Sequence, residues 1–178
     1  GVYLRVVKNV TIEDCTITDA DYAGIAIFSG IGGRISGNTI LRIGMTKDPA
    51  TGFQGNNTYG IMLNRSESSS LTTDPPSQDF MIDHNVVRDV PLWMCLNLHG
   101  ARNVTFSANT TSGCPRAIFV AGSPMGSGVT QSANVTVTGN RLEPPKTKAG
   151  GTTDIEGVLI HGAQGIRSNA VNADGIRG

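Results

Sequence analysis

The chain has 178 residues, and its 14 Lys plus Arg balance 14 Asp plus Glu, so it carries no net charge at pH 7. Charged residues make up 16% of it, against about 25% in ordinary globular chains, which argues against a basic field for nucleic acid and against a polyanionic tail. The length matches one domain, and no apolar run nears the roughly 18 residues of a membrane span, so neither a nucleic-acid nor a membrane partner is expected.

In chain order, short Val/Ile-rich segments of two kinds alternate. After an opening GVYLRV come NVTIEDCTI from Asn9, GIAIF from Gly24, GRISGNTI from Gly33, GIMLN from Gly60 and DFMIDHNVV from Asp79. WMCLNLH from Trp93, NVTFSANTT from Asn103, AIFVA from Ala117, NVTVTGNRL from Asn134, GVLIH from Gly157, QGIRSNAV from Gln164 and a final GI at Gly175 continue the series. Aligning the first kind on Cys15, Asn38, Asn85, Asn109, Asn140 and Asn169 creates an apolar column three residues earlier: Ile12, Ile35, Ile82, Phe106, Val137 and Ile166. Two residues after the anchor stand Ile17, Ile40, Val87, Thr111, Leu142 and Val171. The anchor spacings of 23, 47, 24, 31 and 29 fit a turn of about 23 residues lengthened by insertions.

In the second kind of segment, period-two alternation assigns Ile25 and Ile27, Ile61 and Leu63, Met94 and Leu96, Ile118 and Val120, Val158 and Ile160 to a buried face. Strands this short, separated by Gly and Asn turns, predict an all-β solenoid of about six coils in which aligned residues stack as ladders. Asn suits the anchor because it tolerates the left-handed bend and because its amide can bond the next coil's amide.

The segments NVTIEDCTITDADYAGIAI, ISGNTILRIG and NVTVTGNRL resemble repeats of the right-handed parallel β-helix superfamily. That group includes pectate and alginate lyases, polygalacturonase-like hydrolases, mannuronan epimerases and phage tailspikes. The resemblance covers nearly the whole chain, 1–178 as a single β-helix domain, and implies a polysaccharide partner and an extracellular, cell-surface or virion location. It also implies a trimer if the chain belongs to a phage fibre. GVYLRV and GIRG read as second strands cut in mid-coil, so the chain is expected to be a segment of a longer protein.

Insertions at Met45 to Tyr59, at Ser66 to Gln78, after Ala121 and after Leu142 flank the second strand and direct attention to its outer face. Alternation assigns to that face Ala26 and Phe28, Met62 and Asn64, Cys95, Asn97 and His99, Phe119 and Ala121, Leu159 and His161. Asn64, Asn97 and His161 are expected to share or nearly share a row, with Arg65 and His99 at its edge. For glycan binding the candidates are Asn64 and Asn97 for hydroxyls, with Phe28, Phe119 and Trp93 for stacking on sugar rings. Catalytic candidates are His99, His161, Arg65 and Arg116, since a uronate lyase must neutralise a carboxylate and move a proton at C5.

A glycoside hydrolase would need two carboxylates about 5–9.5 Å apart. Asp19, Asp21, Asp89, Asp154, Glu156 and Asp174 precede the second strands, where an acidic residue also serves as a turn former. The hydrolase motifs NTD, DD, GHG and RIK and the epimerase motif DPHE are absent. No cofactor is expected, with Ca²⁺ near Asp19 and Asp21 as the one metal candidate. Cys15, Cys95 and Cys114 form no CxxC and leave one over, so they read as small apolar or turn residues and not as a disulfide framework or zinc site. Six N-x-Ser/Thr sequons, at Asn9, Asn56, Asn64, Asn103, Asn109 and Asn134, read as by-products of the repeat. The resulting expectation is an enzyme that cleaves an acidic or decorated polysaccharide, as lyase or hydrolase. The alternative is a non-catalytic glycan-binding or structural module of a phage fibre or surface protein.

Overall fold

The structure, a computed structural model, describes residues 1–45, 57–65, 74–125, 128–143, 156–161, 163–164 and 167–169. Among these the chain winds as a right-handed parallel β-helix with three sheets. Sheet A contains Val2–Arg5, Ala23–Phe28, Tyr59–Asn64, Met94–His99, Arg116–Ala121 and Glu156–His161, each hydrogen-bonded in parallel to the next. Sheet B stacks Lys8–Glu13, Ile31–Ser36, Gln78–Asp83, Arg102–Ser107 and Ser132–Thr138, the last of which also pairs with Ala163–Gln164 and Arg167–Asn169. Sheet C is built from the three-residue strands Thr16–Thr18, Thr39–Leu41, Val86–Arg88, Thr110–Ser112 and Arg141–Glu143.

The apolar columns become the core. On sheet B, Ile12, Ile35, Ile82, Phe106 and Val137 stand in one register row, and Ile17, Ile40, Val87, Thr111 and Leu142 do so on sheet C. On sheet A the rows are Ile25, Ile61, Leu96, Ile118, Val158 and Ile27, Leu63, Leu98, Val120, Ile160, except that Ile160, expected on the buried face, is 43% exposed because its strand is the last described one of the sheet. Fully burying each such side chain contributes about 1.5–3 kcal/mol, so the stacked rows are the main stabilising element.

Alternation breaks at one place in sheet A. The register runs Ala23 to Tyr59 to Met94 to Arg116 and resumes at Ile25 to Ile61 to Leu96 to Ile118, with residues 24, 60, 95 and 117 outside the matched pairs. Cys95 and Leu96 are consecutive, yet both lie in the central core, while Met94 joins an outer cluster. Against the alternation expected from the sequence, the inward pair is Leu96 and Leu98, Met94 points outwards and Cys95 points in. The break accounts for the recurring Gly, because a Cβ on Gly60 would lie 2.2 Å from Val87 and 2.5 Å from the Cys95 carbonyl oxygen.

The Asn anchors form a buried ladder, since Nδ2 of Asn38 donates to Oδ1 of Asn85, Asn85 to Asn109 and Asn109 to Asn140, at 2.9, 3.0 and 2.9 Å. Each Oδ1 also accepts the preceding coil's backbone N–H, including that of Cys15. The left-handed residue at the bend is the one before the anchor, Asp14, Gly37, His84, Ala108 or Gly139, and not the Asn itself. An outer ladder accompanies it: Asn9, Gly32, Asp79, Asn103 and Asn134 all have positive φ, and Asn134 donates to Asn103, which donates to Asp79. These positions explain the NVT repeat, and Asn109, fully buried, is closed to glycosylation in the folded chain.

Two further expectations are corrected. Val137 pairs with Ser168 and Thr138 with Asn169, two residues away from the anchor alignment, a slip that keeps the period-two alternation intact. Ile166 and Val171 lie outside the described residues. Cys95 and Cys114 form a disulfide, with Cα atoms 5.7 Å apart, because stacking brings the turn of one coil beside the strand of the previous one.

Candidate functional site

Sheet A's outer face is assembled from three register rows. The first is Ala26, Met62, Asn97, Phe119 and Leu159; the second is Phe28, Asn64, His99, Ala121 and His161; the third is Ala23, Tyr59, Met94 and Arg116. Asn64, His99 and His161 thus share a row: Asn97 stands in the adjacent one, so it nearly shares it, while His99, expected at the edge, stands within it. The cause is again the kink at Cys95. The side chain of His161 lies outside the described residues.

This face is apolar and aromatic. Ala23, Ala26, Tyr59, Met62 and Met94 form a buried cluster, and the half-buried Phe28, Trp93 and Phe119 pack against it. The Tyr3 and Phe28 ring centres are 5.2 Å apart, and those of Tyr22 and Tyr59 are 5.5 Å apart, edge to face. Arg116 holds its guanidinium carbon 4.5 Å from the Trp93 ring centre, within cation–π range. Burial pushes the Tyr59 hydroxyl up to about 12, so it stays a neutral donor through the physiological range.

Polar groups sit within this surface. Nδ2 of Asn97 donates to Oδ1 of Asn64 at 3.1 Å and lies 3.1 Å from Nδ1 of His99. The His99 ring is 5.3 Å from that of Phe119. Burial lowers the His99 pKa below its usual value, because the imidazolium would lose its hydration. At one end the face opens into a pocket of about 370 Å³ lined by Tyr3, Asp19, Asp21, Tyr22, Ala23 and Ala26 among others.

The fold brings together Phe28, Asn64, Trp93, Asn97, His99, Arg116 and Phe119. Arg65 is placed elsewhere: it is 1% exposed, its Nε donates to the Asp74 carbonyl at 2.6 Å and its guanidinium reaches the Thr130 hydroxyl at 3.4 Å. Arg65 therefore ties together the two insertions that leave the end of the sheet A strands. The later insertion forms an antiparallel hairpin of Ser123–Met125 and Gly128–Thr130. The earlier one supplies Asp74, which meets Arg5 at 3.3 Å. Insertion residues 46–56, 66–73 and 144–155, with Asp154 among them, lie outside the described residues, as does Asp174.

Asp19 and Asp89 take left-handed φ in the turns before sheet A strands, whereas Glu156 begins its strand. Both oxygens of Asp19 take Arg42, at 2.7 and 2.6 Å, and this pairing holds the Asp19 carboxyl below the usual range. Among the described residues no group of three His, Cys, Asp or Glu side chains is arranged to hold a metal ion. Tyr3, Tyr22 and Tyr59 escaped the sequence reading. Tyr59 could have been found as the residue before the recurring Gly, had the break in alternation been anticipated.

A family model described as right handed beta helix region matches residues 1–173. No curated protein and no solved structure matches the chain.

Proposed function

Because the chain belongs to the right-handed β-helix family, in which stacked coils make flat surface ladders, we propose that the outer face of sheet A binds an extended polysaccharide. One observation carries this reading: of nine aromatic residues, six (Tyr3, Tyr22, Phe28, Tyr59, Trp93 and Phe119) gather on or beside this one face. Rings in a row offer stacking surfaces to successive sugars, and Asn64, His99 and Arg116 add donors among them. Arg116, held over the Trp93 ring within this face, favours an acidic glycan. A disulfide fits an oxidising compartment, which supports a secreted, cell-surface or virion setting.

Binding is better supported than cleavage, since Asp19, a carboxylate that lines the pocket at the end of this face, is committed to Arg42. The test is incubation with alginate, pectin, glycosaminoglycan and capsular polysaccharides. Retention without chemical change is the expected result. New ultraviolet absorbance from an unsaturated uronate would make the chain a lyase, and new reducing ends alone a hydrolase. Failure to retain any of these polymers would overturn the reading.

A further inference from the structure

Asn97 belongs to an outward-facing row, yet it is fully buried, and its Oδ1 has no hydrogen-bond partner among the described residues. Its amide nitrogen has two protons, one directed at Oδ1 of Asn64 and one at Nδ1 of His99, each 3.1 Å away. An imidazole nitrogen that accepts a hydrogen bond must offer a lone pair, so a neutral ring in this position keeps its proton on Nε2. Turning the Asn97 amide around would leave an NH₂ with two buried, unanswered donors. The present orientation leaves a single carbonyl oxygen unanswered, and that is the less costly defect. Phe119 packs beside the imidazole, and Nε2, the opposite ring nitrogen, has no protein partner among the described residues.

We propose that Asn97 is a positioning residue that locks His99 as its Nε2–H tautomer, so that His99 presents a hydrogen-bond donor to the glycan. Resting on the polysaccharide reading of this face, the proposal names what the site selects: a sugar oxygen that accepts, from a hydroxyl, a ring ether or a uronate carboxylate. It also removes His99 as a base, because the lone pair a base needs is turned inwards to Asn97. Asn64 completes the chain by fixing the Asn97 amide.

The tautomer is read directly, on the free protein near neutral pH, from a long-range proton–nitrogen correlation spectrum of the three imidazoles, with His99 assigned by its loss in His99→Phe. The expected pattern is protonated Nε2 and bare Nδ1 in the parent, and a mixture in Asn97→Leu. A parent ring protonated on Nδ1, or already mixed, overturns the lock. Retention on the polysaccharide should fall about tenfold in His99→Phe, which keeps the ring and removes the donor. If His99→Phe binds like the parent while Trp93→Ala does not, the donor role is wrong although the face is right. If the parent binds no polysaccharide, the face reading fails, and the spectrum alone still decides the lock.

Discussion

Arg116 lies over the Trp93 ring at 4.5 Å, and the two residues come from successive coils that the Cys95–Cys114 disulfide joins just behind them. The bridge is therefore both a structural tie and a support for the aromatic face. It closes a separation of 19 residues, for which chain-entropy estimates give about 3 kcal/mol. The double variant Cys95→Ala, Cys114→Ala is expected to lose roughly that much in urea unfolding and to bind glycan more weakly through a loosened Arg116. Alkylation of the denatured, unreduced protein should modify Cys15 alone, the free thiol of the three; three modified cysteines would refute the bridge.

Asn109 accepts the backbone N–H and the amide of Asn85, and donates to the Ile82 carbonyl and to Asn140. Asn109→Ala would strand several buried groups at once. Each unsatisfied group costs about 1–3 kcal/mol, so a loss of about 3–5 kcal/mol in chemical denaturation is expected. A loss under about 1 kcal/mol would mean that the ladder is ornamental.

Thr111 stands in an otherwise apolar row between Val87 and Leu142, fully buried, with a hydroxyl that has no partner among the described residues. Thr111→Val keeps the shape and removes the orphaned hydroxyl. Stability should rise by about 1 kcal/mol, seen as a higher denaturation midpoint. A decrease would point to a bonded hydroxyl.

On sheet B, Arg34 grips Asp83 with two hydrogen bonds, at 3.1 and 2.9 Å, and together with His84 and Ser36 holds that carboxyl down to about 2 against the opposing effect of burial. The folded pKa lies below the unfolded value of 3.8, so this contribution is complete above about pH 4 and is lost as pH falls toward 2. Solvent around the half-exposed Arg34 guanidinium screens the pair, so the contribution stays at about 1 kcal/mol. Asp83→Asn should flatten the acid limb of the stability profile in that window. His99 acts at milder acidity in the same direction: burial depresses its pKa, so stability is full above its ordinary value of 6.5 and declines as pH drops below it.

The solenoid was legible because each coil repeats its apolar offsets: Ile12, Ile35, Ile82, Phe106 and Val137 align in the letters as they do in space. The Asn ladder followed from the same alignment. The site was only partly legible, since strict alternation assigned Cys95 outwards and Met94 inwards, whereas the kink at the small-residue position reverses both. The disulfide was hidden for a related reason. Its partners, Cys95 and Cys114, occupy different positions of the repeat in neighbouring coils, which no spacing rule brings together. Arg65 read as an edge cation but is consumed by contacts to Asp74 and Thr130 that depend on the insertions.

The central claim, that sheet A's outer face holds a polysaccharide, is tested most directly by affinity electrophoresis through gels containing an acidic polysaccharide, comparing the parent with Trp93→Ala and with Met81→Ala. Met81 is exposed on the outer side of sheet B and serves as the control. Retarded migration is expected for the parent and for Met81→Ala, and at least about tenfold weaker retention for Trp93→Ala with its circular dichroism unchanged. Equal retention of Trp93→Ala and the parent would contradict it.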